Sequence, residues 1–196
     1  AFLVAIISQI LDFDMPFTTI QLLWVNIIMD GPPALALGLE PIRDAVFDRK
    51  PVDRKASIIT KKMITSIVLN ALYVTAILLI QMKFNILGAS TVVQADGASE
   101  METVLFALFA FSALFNAFNC REFGTDSILK NFTKNKTALL IISVTAIAQF
   151  IFTELFSGFF NAVSLSLVMW GKVILLAFMI IVVNEVVKFV LRLFKK

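Results

Sequence analysis

The sequence predicts an all-α membrane protein, a multi-pass bundle of transmembrane helices with five full spans and one partial span. Of the 196 residues, 59% are hydrophobic, whereas soluble domains contain about 45–50% apolar residues. The hydrophobic residues are gathered into runs of about twenty, which is the length of helix that crosses a bilayer. Basic residues cluster in alternate loops between these runs. The whole chain, residues 1–196, is therefore expected to form one transmembrane domain in the lipid bilayer.

The composition also excludes several classes of function. A single cysteine, Cys120, precludes an internal disulfide. The chain has no histidine, which excludes histidine-based zinc, haem and acid–base chemistry. Glycine is scarce and forms no phosphate-binding loop, so we expect no catalytic residue and no bound cofactor within this chain. The net charge of +3 is small, and no nucleic-acid partner is expected.

The first two apolar segments are separated by a short acidic turn at residues 12–16. Residues 1–11 are about half the length of a span, and we expect the upstream part of this helix to belong to a longer protein. The second segment, residues 17–39, is predicted to be a helix that is broken at Gly31, Pro32 and Pro33. It ends at Glu40, because the residue before a proline is disfavoured in a helix.

The remaining spans are predicted at residues 63–82, 101–119, 137–156 and 167–191. Ser57 is a candidate N-cap for the first of them. Polar residues inside that span, including Asn70 and Thr75, are expected to form hydrogen bonds between helices. The phenylalanines of the 101–119 span indicate lipid contact and packing, and Glu154 indicates a structural contact near the end of its span.

The loops alternate in their content of lysine and arginine. Successive connections carry seven basic residues, then one, then four, then none, and four lie at the C-terminal end. Because cytoplasmic loops are rich in basic residues, loop 41–62 and the C-terminus are predicted to be cytoplasmic, and loop 83–100 exoplasmic. The basic residues of loop 41–62 fit topology alone, although a docking surface for a cytoplasmic domain is an alternative.

A pair of polar residues stands out in the second segment. Asn26 and Asp30 are four residues apart, so on a helix they lie on one face. Pro32 and Pro33 lack the N–H groups that the carbonyls of Ile28 and Met29 would otherwise bond. Freed carbonyls beside an intramembrane carboxylate are typical of ion sites in transporters. The alternative is a proline kink with Asp30 buried in a structural hydrogen bond.

The same stretch carries a family resemblance. QLLWVNIIMDGPPA at residues 21–34, followed by LGLEP at residues 37–41, resembles the sixth transmembrane helix of P-type calcium pumps. RKP at residues 49–51 and LFNAFNCR at residues 114–121 fit that family in order and spacing. The chain looks most like the secretory-pathway calcium/manganese pumps and their bacterial relatives, while plasma-membrane calcium pumps are similar but lack the double proline. The resemblance covers the end of the fifth helix to the tenth.

By this resemblance, Asn26 and Asp30 match the calcium-coordinating side chains of the sixth helix. Met29 stands where two-ion pumps carry a threonine ligand, and Ala113 stands where they carry a glutamate. Both departures imply a single transported ion, Ca²⁺, with Mn²⁺ as a possibility. ATP and Mg²⁺ would bind only in the missing cytoplasmic domains, which, with the missing N-terminal helices, are the expected partners.

The resulting functional prediction is the membrane part of an ATP-driven P-type calcium pump, a translocase, in the cell membrane or a secretory-pathway membrane. This part supplies the supporting helices and part of one intramembrane cation site. Two alternatives remain open. One is a stand-alone membrane scaffold or regulatory subunit derived from a pump, and the other is a pump for manganese or another cation.

Overall fold

The computed structural model describes residues 2–40, 57, 59–94, 97–121, 127–128 and 135–193. The helices of this part of the chain are α1 (Phe2–Ile10), α2 (Thr19–Trp24), α3 (Gly31–Gly38), α4 (Lys61–Phe84), α5 (Glu100–Asn119), α6 (Lys136–Leu155), α7 (Ser157–Phe160) and α8 (Leu167–Leu193). Between α2 and α3 the backbone forms a π-helical segment, Val25–Asp30, called the π turn below.

The predicted all-α, multi-pass membrane bundle is confirmed. Five helical segments are long and apolar enough to span a membrane, namely Thr19–Gly38, Met63–Phe84, Glu100–Asn119, Lys136–Leu155 and Leu167–Leu193. The partial span at the start of the chain is the short helix α1. Most of the basic loop at residues 41–62 and the basic residues Lys195 and Lys196 lie outside the described residues.

Polar side chains define where the spans begin. Thr18 and Gln21 form a reciprocal capping box at the start of α2, and Ser99 and Glu102 form another at the start of α5. Thr60 accepts a hydrogen bond from the Met63 N–H and is the N-cap of α4. The predicted cap at Ser57 is therefore wrong: Ser57 lies three residues too far upstream to satisfy the first free N–H groups of the helix.

The centre of the bundle is α5, which is buried along most of its length. It packs against α8 on one side and against the π turn, α4 and α6 on others. Phe106, Phe111 and Phe118 of α5 are all less than 10% exposed. The phenylalanines predicted to serve lipid contact and packing thus lie largely in the protein interior, where Phe111 also meets Trp170 edge to face.

Candidate cation site

The helix that carries the candidate site is not broken, contrary to the prediction at Gly31, Pro32 and Pro33. The backbone stays in the right-handed helical region through Asp30 and Gly31, and the chain changes from α to π geometry before the prolines. The prolines then follow directly after the π turn, in the first turn of α3, and supply no N–H groups to the carbonyls of the preceding turn. The wider turn accommodates the missing donors without ending the helix, and such π segments are frequent at functional sites.

Both predicted ligands, Asn26 and Asp30, lie in the π turn, and both are exposed in the described chain. Between them, Met29 is fully buried and packs with Val25, Phe106 and neighbouring residues. The side of the π turn that bears Met29 therefore faces α5. The polar pair lies on the part of the turn that the rest of the bundle leaves uncovered.

Asp30 opens onto a cavity of about 380 Å³ between α1, the π turn, α4 and α5. It is the one charged residue among those that line the cavity, and Asn70, Thr75 and Asn116 contribute the other polar side chains capable of coordination. Asn26 is not among the lining residues. The structure thus places one predicted ligand beside three further oxygen-bearing side chains, and places the other outside this cavity.

Sequence reasoning did not assign the three additional side chains to the site. Asn70 and Thr75 were predicted to bond neighbouring helices, and Asn116 was noted as part of the family resemblance. The signal was present, since each is a polar residue inside an apolar span. Their convergence on Asp30 depends on how α4 and α5 pack, which residue spacing along the chain does not reveal.

Met29 and Ala113, which the resemblance marks as departures from two-ion pumps, have different surroundings. The Met29 side chain is buried against α5, and a thioether is in any case a poor ligand for a hard cation. Ala113 does line the cavity but carries no oxygen atom in its side chain. Within the described residues, no group of three histidine, cysteine, aspartate or glutamate side chains is placed to hold a metal ion.

The helical segment that carries the candidate site, Thr19–Gly38, is called the site helix below. Polar contacts with other helices hold both of its ends. At one end, the Gln21 amide donates to the carbonyl of Phe160 at 2.8 Å, and Trp24 Nε1 donates to Gln149 Oε1 at 2.7 Å. At the other end, the Arg121 guanidinium donates to both carboxylate oxygens of Glu40, at 3.0 and 3.2 Å. Glu154, for which the sequence predicted a structural contact, accepts from Trp170 Nε1 at 2.7 Å.

Asn135 completes the contact at Glu40. Its Nδ2 donates to Glu40 Oε2 at 2.8 Å and to the carbonyl of Ala36 at 3.3 Å, while its Oδ1 accepts from the Ala138 N–H. We call Glu40, Arg121 and Asn135 the Glu40 clasp. It joins the end of α3 to the end of α5 and the start of α6, so the position of the site helix is tied to two neighbours.

Comparison with known proteins assigns the chain to a family. Residues 14–190 match the family described as "Cation transporting ATPase, C-terminus". The chain belongs to this family. The family resemblance predicted from the sequence is therefore confirmed.

Individual relatives of this cation-transporting ATPase region are plasma-membrane-type calcium-transporting ATPases of plants. The chain is 34% identical over 173 residues to calcium-transporting ATPase 8 of Arabidopsis thaliana, which covers 87% of the chain and 16% of the relative. It is 34% identical over 191 residues to calcium-transporting ATPase 1 of Oryza sativa subsp. japonica, covering 96% of the chain and 18% of the relative. The chain thus spans less than a fifth of the length of these relatives.

Proposed function

We propose that this chain is the membrane-embedded C-terminal part of an ATP-driven calcium pump and forms one wall of its cation site. The observation that carries the proposal is the position of Asp30, a carboxylate on a π turn within a membrane span, facing a cavity with amide and hydroxyl groups. The family match and the names of the plant relatives support the activity and calcium as the transported ion.

The proposed ligands are Asn26 and Asp30. Calcium takes six to eight oxygen ligands, with carboxylates, amide oxygens, carbonyls and water all suitable. Asp30 supplies the charge. Asn26, in the same exposed part of the π turn, would meet the ion from outside the cavity that Asp30 lines. Mn²⁺ also accepts such oxygen ligands, and we propose it as the alternative transported ion.

We propose that the remaining ligands come from parts of the pump outside this chain, namely the fourth helix and the upstream part of the fifth helix. Cytoplasmic domains of the pump bind ATP and Mg²⁺. Our proposal of a single site is supported by the burial of Met29 and by the absence of a side-chain oxygen at Ala113. The proposed location is the cell membrane or a secretory-pathway membrane, with the C-terminus in the cytoplasm.

The assignment is tested by Asp30→Asn in the intact pump that contains this chain. The substitution keeps the size of the side chain and removes the charge that a divalent cation requires. We expect calcium-dependent phosphorylation from ATP to be lost, with expression and elution from size exclusion unchanged.

Glu154→Gln is the matched control, because it neutralises a second carboxylate near the end of a membrane span. Glu154 contacts Trp170 and the Leu165 N–H rather than the cavity, so calcium-dependent phosphorylation is expected to survive this change. Near-normal calcium-dependent phosphorylation by Asp30→Asn would refute the site assignment. Repeating the measurement with Mn²⁺ determines whether manganese is also a substrate.

A further inference from the structure

Four asparagines meet where α4, α5 and α8 pack together. Asn70, Asn119 and Asn184 are each less than 10% exposed, and Asn116 is partly buried. A buried amide in a membrane domain is costly unless its donors and acceptors are satisfied. Four of them in one place therefore require a shared set of partners.

The hydrogen bonds join these amides into one chain. Asn184 Nδ2 donates to Asn70 Oδ1, which links α8 to α4, and also to the carbonyl of Ile180 at 2.8 Å. Asn119 Nδ2 donates to the same Ile180 carbonyl at 3.4 Å and to Asn116 Oδ1 at 3.3 Å. We call this connected set the asparagine chain. It runs from α4 through α8 to α5.

Both ends of the asparagine chain lie at the cavity that contains Asp30. Asn70 and Asn116 line that cavity, and its lining includes no residue of α8. The last helix, which does not touch the candidate site, is thus bonded to two side chains that do. Hydrogen bonds thus connect α8 to the side chains that surround Asp30.

The orientation of an amide matters beside a cation. An amide presents an oxygen on one side and two N–H donors on the other, and only the oxygen attracts a positive ion. Asn184 and Asn119 each donate to an amide oxygen, which fixes the direction in which Asn70 and Asn116 present their two ends. An oxygen that accepts one such bond keeps its second lone pair for a cation. Without these donors, Asn70 would be held only by the bond from its Nδ2 to Ser66 Oγ at 3.3 Å, and the Asn116 amide could rotate and turn its N–H groups towards the ion.

We propose that Asn184 and Asn119 are positioning residues that hold the amides of Asn70 and Asn116 in one orientation beside Asp30. Through them, the last helix sets the affinity of the cavity for its divalent cation. This inference rests on the proposed function, in which Asp30 binds the transported calcium. It assigns to α8 a role that neither the spacing of residues nor the family match indicates.

The test is Asn184→Leu in the intact pump, with the calcium concentration for half-maximal phosphorylation as the readout. Leucine has a similar volume but removes both donated hydrogen bonds. We expect this concentration to rise about fivefold, the lower end of coupling between sites in proteins, with the maximal phosphorylation at saturating calcium retained. Asn119→Leu is expected to raise it in the same direction.

Gln81→Leu is the matched control. Gln81 is also a fully buried amide of a membrane helix, but it bonds Asn85 and the Leu87 N–H at the far end of α4. A purely structural effect of losing a buried amide would shift the calcium dependence of both variants equally. The proposal is overturned by equal shifts, or by an unchanged calcium dependence in Asn184→Leu.

A second variant keeps the test decisive if Asn184→Leu fails to fold. Asn184→Ser retains a hydroxyl that can bond the Ile180 carbonyl one turn back, but it is too short to reach Asn70. It should shift the calcium dependence in the same way, and an unchanged value would again refute the proposal. The Asp30→Asn result separates the two ideas: if that variant loses phosphorylation while Asn184→Ser is normal, only the positioning role fails.

Discussion

The Glu40 clasp offers a quantitative test of how the site helix is held. The Arg121 side chain is only 3% exposed and that of Glu40 is 22% exposed, with two N–H···O bonds between them. Removing one partner from a buried ion pair costs about 3–5 kcal/mol, because the other charge stays buried without it. Replacing both partners by apolar residues is often nearly neutral. The three variants to compare are Arg121→Met, Glu40→Leu and the double substitution.

The structure ranks the two single variants. Arg121→Met leaves the Glu40 carboxylate, which is partly exposed and keeps Asn135 as a donor, so we expect a cost near the lower limit, about 3 kcal/mol. Glu40→Leu removes a carboxylate from the more deeply buried guanidinium and also removes an acceptor from Asn135. We expect that change to cost about 4–5 kcal/mol. The double variant should cost less than either single variant.

The measurement is the free energy of unfolding of the purified pump in mixed micelles, titrated with a denaturing detergent and followed by tryptophan fluorescence. Both tryptophans of this chain, Trp24 and Trp170, lie in its helices, so in a pump whose other tryptophans are replaced by phenylalanine the signal reports on the bundle. Lys83→Met is the control, since it removes an exposed cation from the last turn of α4, a helix that contributes no residue to the clasp. If the two single costs simply add in the double variant, the clasp is not a coupled buried pair and the reasoning is wrong.

Two further predictions concern topology and stoichiometry. The topology is tested in a pump with Cys120 replaced by serine. A cysteine at Ser57 should react with a membrane-impermeant reagent only after the membrane is opened, whereas a cysteine at Ser90 should react from outside. The reverse pattern would overturn the orientation derived from basic residues. We expect one calcium ion to bind per phosphorylation site, with a Hill coefficient near 1, because Met29 is buried and Ala113 lacks a side-chain oxygen. Two bound ions per phosphorylation site in an equilibrium isotope measurement would contradict the single-site proposal.

The spans could be predicted from the sequence because the length and polarity of a membrane helix are dictated by the bilayer. The predicted and observed spans differ at the ends of the helices. The apolar run places the start of one span at residue 63, whereas α4 begins at Lys61 because Thr60 caps it. Counting apolar residues omits the polar first turn of a helix, which lies near the membrane surface. The capping residues set these boundaries, and they lie outside the apolar runs.

The π turn could not be predicted because the sequence reveals only which hydrogen-bond donors are missing. Pro32 and Pro33 must leave carbonyls of the preceding turn without their usual N–H partners. Either a break or a widened turn accommodates that loss, and packing decides between them. Here Val25 and Met29 are both buried within the same cluster as Phe106. Keeping both side chains against α5 favours a continuous helix with one wide turn.

The count of oxygens around Asp30 shows what the candidate site still requires. The cavity offers at most five side-chain oxygens: two from Asp30 and one each from Asn70, Thr75 and Asn116. The oxygens of Asn70 and Asn116 each already accept a hydrogen bond from another asparagine, which leaves them fewer free lone pairs for an ion. Calcium takes six to eight oxygens. A calcium ion beside Asp30 therefore needs further oxygens from water, from backbone carbonyls freed by the prolines, or from other helices of a pump. The side of the π turn that exposes Asn26 and Asp30 is where such helices would have to approach.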